Sequence, residues 1–183
     1  MKSALVGLAL VAVVTPTTYR VAEGDIRVIC VLTIGGSFDA KTTSLSGSIA
    51  AGASGSHAFE GSLAVNLRTL DTGIDLRNEH RRENYLEVGK GPGFDTATLS
   101  AIELNGFNPA APERKGSFTG LLTLHGVTRA VTGAVDVRQA GAGLRVTASF
   151  PVDLTSYGIR KPRYLGVGVK DIVQVEVAFV VSR

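Results

Sequence analysis

From residue 26 onward the chain places apolar side chains at alternate positions in one short segment after another. Ile26, Val28, Cys30, Leu32 and Ile34 form the first set, stopped by Gly35-Gly36. Period two is the mark of a strand with one buried face. A weaker run holds Leu45 and Ile49 around Gly47, and a clear one holds Leu63, Val65 and Leu67 with Ala64, Asn66 and Arg68 between them. Residues 94–104, 117–125, 130–137 and 144–154 follow as four more strands. Three of these have fully legible faces: Phe118, Gly120, Leu122 and Leu124; Val131, Gly133, Val135 and Val137; Leu144, Val146, Ala148, Phe150 and Val152. The last run, residues 171–182, sets Val173, Val175, Val177, Phe179 and Val181 against Gln174 and Glu176.

Residues 71–90 break the rhythm. They are rich in Arg, Glu and Asn, and predict a short helical insertion of one or two helices, capped by Asp71 or Thr72 and stopped by Gly89, Gly91 and Gly93 around Pro92. His125-Gly126-Val127-Thr128 and Gln139-Ala140-Gly141-Ala142-Gly143 are tight enough to make hairpins, so neighbouring strands run antiparallel. The expected class is therefore all-β, with about eight antiparallel strands. Such strands can form a two-sheet sandwich or close into a barrel, which leaves no unpaired edge. An eight-stranded barrel is filled by side chains or leaves room for one small ligand, as in lipocalins. Here the inward set is mostly Val, Leu, Ala and Gly, so an apolar cavity is expected.

Composition narrows this little further. With 183 residues the chain is sized for one domain, and 44% hydrophobic residues with 22 glycines suit a turn-rich β protein. The net charge of +3 is spread along the chain and points to no partner. Met1-Lys2-Ser3, the apolar run Ala4 to Val14 and the small-residue exit to Thr18 read as a signal peptide over residues 1–17, leaving a domain at 18–183. The expected location is periplasmic or secreted.

Candidate chemistry is sparse. Cys30 is the only cysteine and sits in an apolar strand, so it is expected in the core. His57, His80 and His125 share no metal-ligand spacing with one another or with Cys30, and no metal is expected. His125 lies in a hairpin, where a turn or strand-end role is expected; His80 lies in the charged insertion, solvated or lining the bore's mouth, or else in a structural hydrogen bond. Gly52-Ala53-Ser54-Gly55-Ser56 fails the nucleophile-elbow pattern at its last position, and Gly89-Lys90-Gly91-Pro92-Gly93 lacks phosphate-loop spacing. Arg160-Lys161-Pro162-Arg163-Tyr164 is the densest basic stretch and reads as a solvated loop rather than a nucleic-acid contact; at the barrel mouth it could meet a lipid phosphate or a membrane surface.

Three blocks resemble the YceI-like family of exported lipid-binding proteins. The first is Tyr19-Arg20-Val21 with Gly36-Ser37-Phe38 and Ser46-Gly47-Ser48-Ile49. The second runs from Ser62 through Asn66-Leu67-Arg68-Thr69-Leu70-Asp71-Thr72-Gly73 to Arg77-Asn78-Glu79-His80 and Asn84-Tyr85-Leu86-Glu87-Val88. The third is Gly120-Leu121-Leu122-Thr123-Leu124-His125-Gly126-Val127-Thr128, followed by Asp153-Leu154-Thr155-Ser156-Tyr157-Gly158-Ile159. The chain departs from the family at Gly91-Pro92, where an aromatic residue often precedes the proline, and in the small-residue stretch Gly52 to Gly55.

The resemblance implies a lipocalin-like barrel whose tunnel holds a long isoprenoid or similar amphiphile, such as a quinone-like lipid, without catalysis and without a cofactor. The expected ligand wall is Phe38, Leu63, Val65, Leu67, Leu122, Leu124, Val131, Val135, Val146, Phe150, Val177 and Phe179. Contact with a membrane surface and a homodimer are further expectations; nucleic acid is not an expected partner. Two rivals make different demands. A small-barrel isomerase or cyclase needs acid and base groups inside the bore, and a structural module needs a filled core.

Overall fold

Each predicted strand has one apolar side to hide and two edges to pair, and the chain meets both needs by closing on itself. The computed structural model describes residues 18–51, 58–106, 114–161, 163–164 and 167–182. The wall strands are β1 (Thr18–Val31), β3 (Leu45–Ala51), β4 (Ala58–Asn66), β5 (Thr96–Asn105), β6 (Arg114–Leu124), β7 (Val127–Ala140), β8 (Gly143–Asp153) and β11 (Ile172–Ser182). They pair antiparallel in that order, and β11 pairs back onto β1 to complete an eight-stranded barrel. β2 (Ser37–Thr42) was not expected. It shares an edge of β1 with β3: β3 covers Thr18 to Arg20, and β2 covers Ile26 to Val31. β9 (Arg163–Tyr164) and β10 (Val167–Gly168) form a separate two-stranded ribbon. The expected signal segment, the stretch 52–56, His57 and Pro162 lie outside the described residues.

Two bulges explain where the alternation began late or lapsed. β1 starts well before Ile26, but its register on β11 slips between Val21 and Glu23. Tyr19 and Val21 pack inward at odd positions, whereas Ile26 and Val28 do so at even ones. β5 slips against both neighbours near Ala101, whose φ is 48°, so Ala97 and Leu99 give way to Ile102 and Leu104 as the inward set. An extra residue in one strand reverses the facing of all that follow. Ile34, expected inside, is 66% exposed. The chain leaves β1 before it, and Gly35 and Gly36 take positive φ to turn into β2.

The insertion is helical but capped differently from expectation. Its parts are a 3-10 turn Leu67–Thr69, the helix α1 (Asp75–His80), a π-type turn Arg81–Tyr85 and a 3-10 turn Val88–Lys90. The α1 N-cap is Ile74, with no side-chain bond. Asp71 and Thr72 are held by the buried Asn78 instead. Asn78 Nδ2 donates to Asp71 Oδ1 at 2.6 Å, while Thr72 N and Oγ1 both donate to Asn78 Oδ1 at 2.9 Å.

One end of the barrel is thereby woven shut. Lys41 and Asp71 exchange backbone hydrogen bonds at 2.7 and 2.8 Å, Leu67 N donates to Asp95 O, Gly126 N to Gly93 O, Leu154 N to Asp171 O, and Lys170 N to Val31 O. At the other end lie the 141–142 turn and the strand ends that flank residues 52–57 and 107–113.

Candidate functional site

The interior contains a cavity of about 420 Å³, within the usual range of small-molecule sites. Twenty-eight side chains of the described residues line it; all are apolar except for the hydroxyl of Tyr19. They run from Leu67, Leu70 and Val152 at the closed end to Ala51, Leu104, Leu144 and Val181 beside the strand ends opposite. Among the described residues no carboxylate, histidine, lysine, arginine or cysteine joins them.

Of the expected wall, Leu63, Val65, Leu67, Leu122, Val135, Val146, Phe150, Val177 and Phe179 line the cavity. Phe38, Leu124 and Val131 do not. Phe38 belongs to β2, outside the wall, and carries the Arg77 guanidinium 4.2 Å above its ring. Leu124 and Val131 are buried in the same apolar cluster as Leu86, Val88, Tyr157 and Ile159, side chains supplied by the two long connections that fill the closed end. The bore is thus both a packed core and a void.

Among the lining residues the sequence did not single out, Leu70 stands apart. It and Leu67 are the only two that come from no wall strand. They form the floor of the cavity, and both are buried. The spacing Leu67-x-x-Leu70, one turn of 3-10 helix, was the available signal.

The floor is tied down by Arg81. Its Nη1 donates to Leu67 O at 2.8 Å and its Nη2 to Leu70 O, while its buried Nε has no partner among the described residues. Burial, then the neighbouring Arg82, pulls the guanidinium pKa down to about 10. Arg68 adds a bond from Nη2 to Val88 O at 2.6 Å. A second fastening centres on His125, in the strand-end role expected of it. Its Nδ1 lies 3.0 Å from Tyr157 O and its Nε2 3.0 Å from Glu87 Oε2, with the Phe94 ring edge-on at 4.7 Å. A hydrogen bond from Lys90, and secondarily one from His125, holds the Glu87 carboxyl below its usual range. His80 is exposed on the insertion at the closed end. Cys30 packs against the core, and burial pushes its thiol up to about 11.

The upper wall depends on one glycine. Phe118 and Phe150 meet edge-to-face at 5.5 Å and 88°. A Cβ on Gly133 would stand 2.6 Å from Phe150 Cβ and 2.7 Å from Phe118 Cε1, and would strike Ser149 O. A larger groove of about 1400 Å³ is lined mostly by polar side chains of β1, β2 and β11 and the residues facing them, with Ile26, Val135 and Val177 among its lining. Its central charges are already paired, Arg27 with Asp39 at 2.8 Å and with Glu176 at 3.3 Å. In the basic stretch, Lys161 pairs with Asp171 and Arg160 lies 3.9 Å from Glu87.

The profile of the YceI-like domain family matches residues 16–181. Solved structures share the architecture. A polyisoprenoid binding domain from Saccharophagus degradans superposes with a TM-score of 0.67 at 16% identity, over 90% of this chain and 97% of that one. BcnA from Burkholderia cenocepacia gives 0.67 at 17% identity, over 86% and 95%. The YCEI protein of Campylobacter jejuni gives 0.50 at 10%, over 98% and 91%. No curated protein shows significant sequence similarity to the chain.

Proposed function

Because the chain belongs to the YceI-like family, we propose that it binds the tail of a long-chain isoprenoid or similar amphiphilic lipid in the barrel, carrying or sequestering it without chemistry. The observation that supports this reading is the lining, apolar among the described residues but for the Tyr19 hydroxyl and continuous from the leucine floor to the far strand ends. A barrel built only for stability would fill this space, since an empty apolar cavity costs free energy in proportion to its volume. Polyisoprenoid binding by the Saccharophagus degradans domain, which has the same fold, supports the same ligand class.

Burial of hydrocarbon supplies the affinity. At about 0.8 kcal/mol per CH₂, a tail of about fifteen carbons gains roughly 12 kcal/mol gross. Ordering costs of roughly 4–15 kcal/mol must be met from that gain, so only long tails are retained. Selectivity among headgroups falls to the end opposite the floor. An isomerase or cyclase reading is disfavoured because, among the described residues, Tyr19 brings the only polar group to the lining. The apolar run Ala4 to Val14 supports export, which makes periplasmic or extracellular lipid the accessible pool.

Organic extraction of the purified protein followed by mass spectrometry tests the assignment. A defined long-chain lipid at near-stoichiometric amount is expected. Leu122→Asp places a desolvated charge against the ligand and should abolish retention. Undiminished lipid in a folded Leu122→Asp protein, or no bound lipid after expression in several hosts and reloading in vitro, sinks the reading.

A further inference from the structure

We infer that the leucine floor is a molecular ruler: the cavity measures about sixteen carbons of a tail, with Leu67 and Leu70 as the stop. The inference rests on the lipid-binding reading above and specifies the length of tail that the site grips.

The dimensions come from the wall. Along β4 the lining runs from Phe59 near the strand start to Leu67 just past its end. At roughly 3.3 Å per residue and a barrel tilt of about 40°, that path projects to about 20 Å along the axis. Carbon–carbon bonds of about 1.5 Å advance an extended chain by about 1.25 Å per atom, which gives about sixteen carbons, or three to four isoprene units.

The stop is built to hold. Leu67 and Leu70 enter the bore from the insertion rather than from the wall, and Arg81 clamps the carbonyls of both residues. Behind them Leu86 and Val88 continue the buried cluster, so a tail that reaches the floor meets packed side chains. Arg81 acts here as a positioning residue, through the two leucines.

A series of straight-chain alcohols of 8 to 24 carbons, titrated by displacement of an environment-sensitive fluorescent probe, reads the ruler directly. Affinity should rise about fourfold per methylene up to about sixteen carbons and then level off. Leu70→Ala opens space for about three more carbons and should move the break outward by that amount; Leu70→Phe should move it inward. Affinity that climbs unbroken past 22 carbons, or a break that stays fixed in the Leu70 variants, overturns the ruler while leaving lipid binding intact. Failure of every alcohol to displace the probe brings down the ruler together with the lipid-binding reading.

Discussion

Arg81→Met isolates what the clamp contributes. Methionine keeps an apolar stem of similar reach, so the packing part of the loss stays small. What disappears is the pair of charge-assisted bonds to Leu67 O and Leu70 O. Two carbonyls of buried leucines are left without their donor, at about 1–3 kcal/mol each. Against this, the variant is relieved of desolvating a guanidinium whose Nε finds no partner among the described residues and whose pKa burial has drawn down to about 10. The balance is a loss of about 2–4 kcal/mol. With a urea slope of about 2 kcal/mol/M, the unfolding midpoint should fall by about 1–2 M. Arg81→Lys, whose single ammonium cannot fork to both carbonyls, should fall in between. Equilibrium unfolding followed by far-UV circular dichroism makes the measurement. A midpoint for Arg81→Met within about 0.3 M of the parent would show that water or a backbone shift satisfies those carbonyls, and the clamp would carry no weight.

Two further outcomes follow from the same structure. Gly133→Ala drives a methyl into the Phe118–Phe150 pair and the Ser149 carbonyl and should cost about 1–3 kcal/mol by overpacking; a thermal midpoint equal to the parent's refutes it. Acid should loosen the closed end. The Gly73 N–H, and then Asn78, hold the Asp71 carboxyl below its ordinary range, as Lys90 and His125 hold that of Glu87. A depressed folded-state pKa means a contribution that is complete above the unfolded value and lost as pH falls through the folded one. Stability should therefore drop below about pH 4, and Asp71→Asn with Glu87→Gln should flatten that acid limb; an unchanged limb in the double variant counts against these contacts.

The wall was readable in the sequence because each strand buries one side of itself, and burial writes a period-two code wherever the register runs true. Val173 to Val181 and Leu144 to Val152 are such cases. The code fails where the backbone inserts a residue: nothing in the side chains near Val21 or Ala101 announces a bulge, yet each reverses the facing beyond it. β2 escaped notice because Phe38, Ala40 and Thr42 offer one large apolar group in three inward positions. The closed end was the least legible part. Asn78 and Arg81 look like members of a solvated charged helix, and their roles depend on partners brought by folding. Leu124 and Val131 carry the same alternation as Leu122 and Val135, and only the filling of that end by Leu86, Val88, Tyr157 and Ile159 separates core from lining.

The seam between β1 and β11 bears on how the protein comes into being. Arg20 is paired with Ser182, so one edge of the first described strand finds its partner only when the last described strand exists. A barrel of this kind has no smaller closed version: without β11 the wall has two raw edges and the bore is an open trough that holds nothing. Such non-local closure makes for slow folding. A tail that lay in that trough before the seam zipped would be enclosed by folding itself rather than threaded in afterwards.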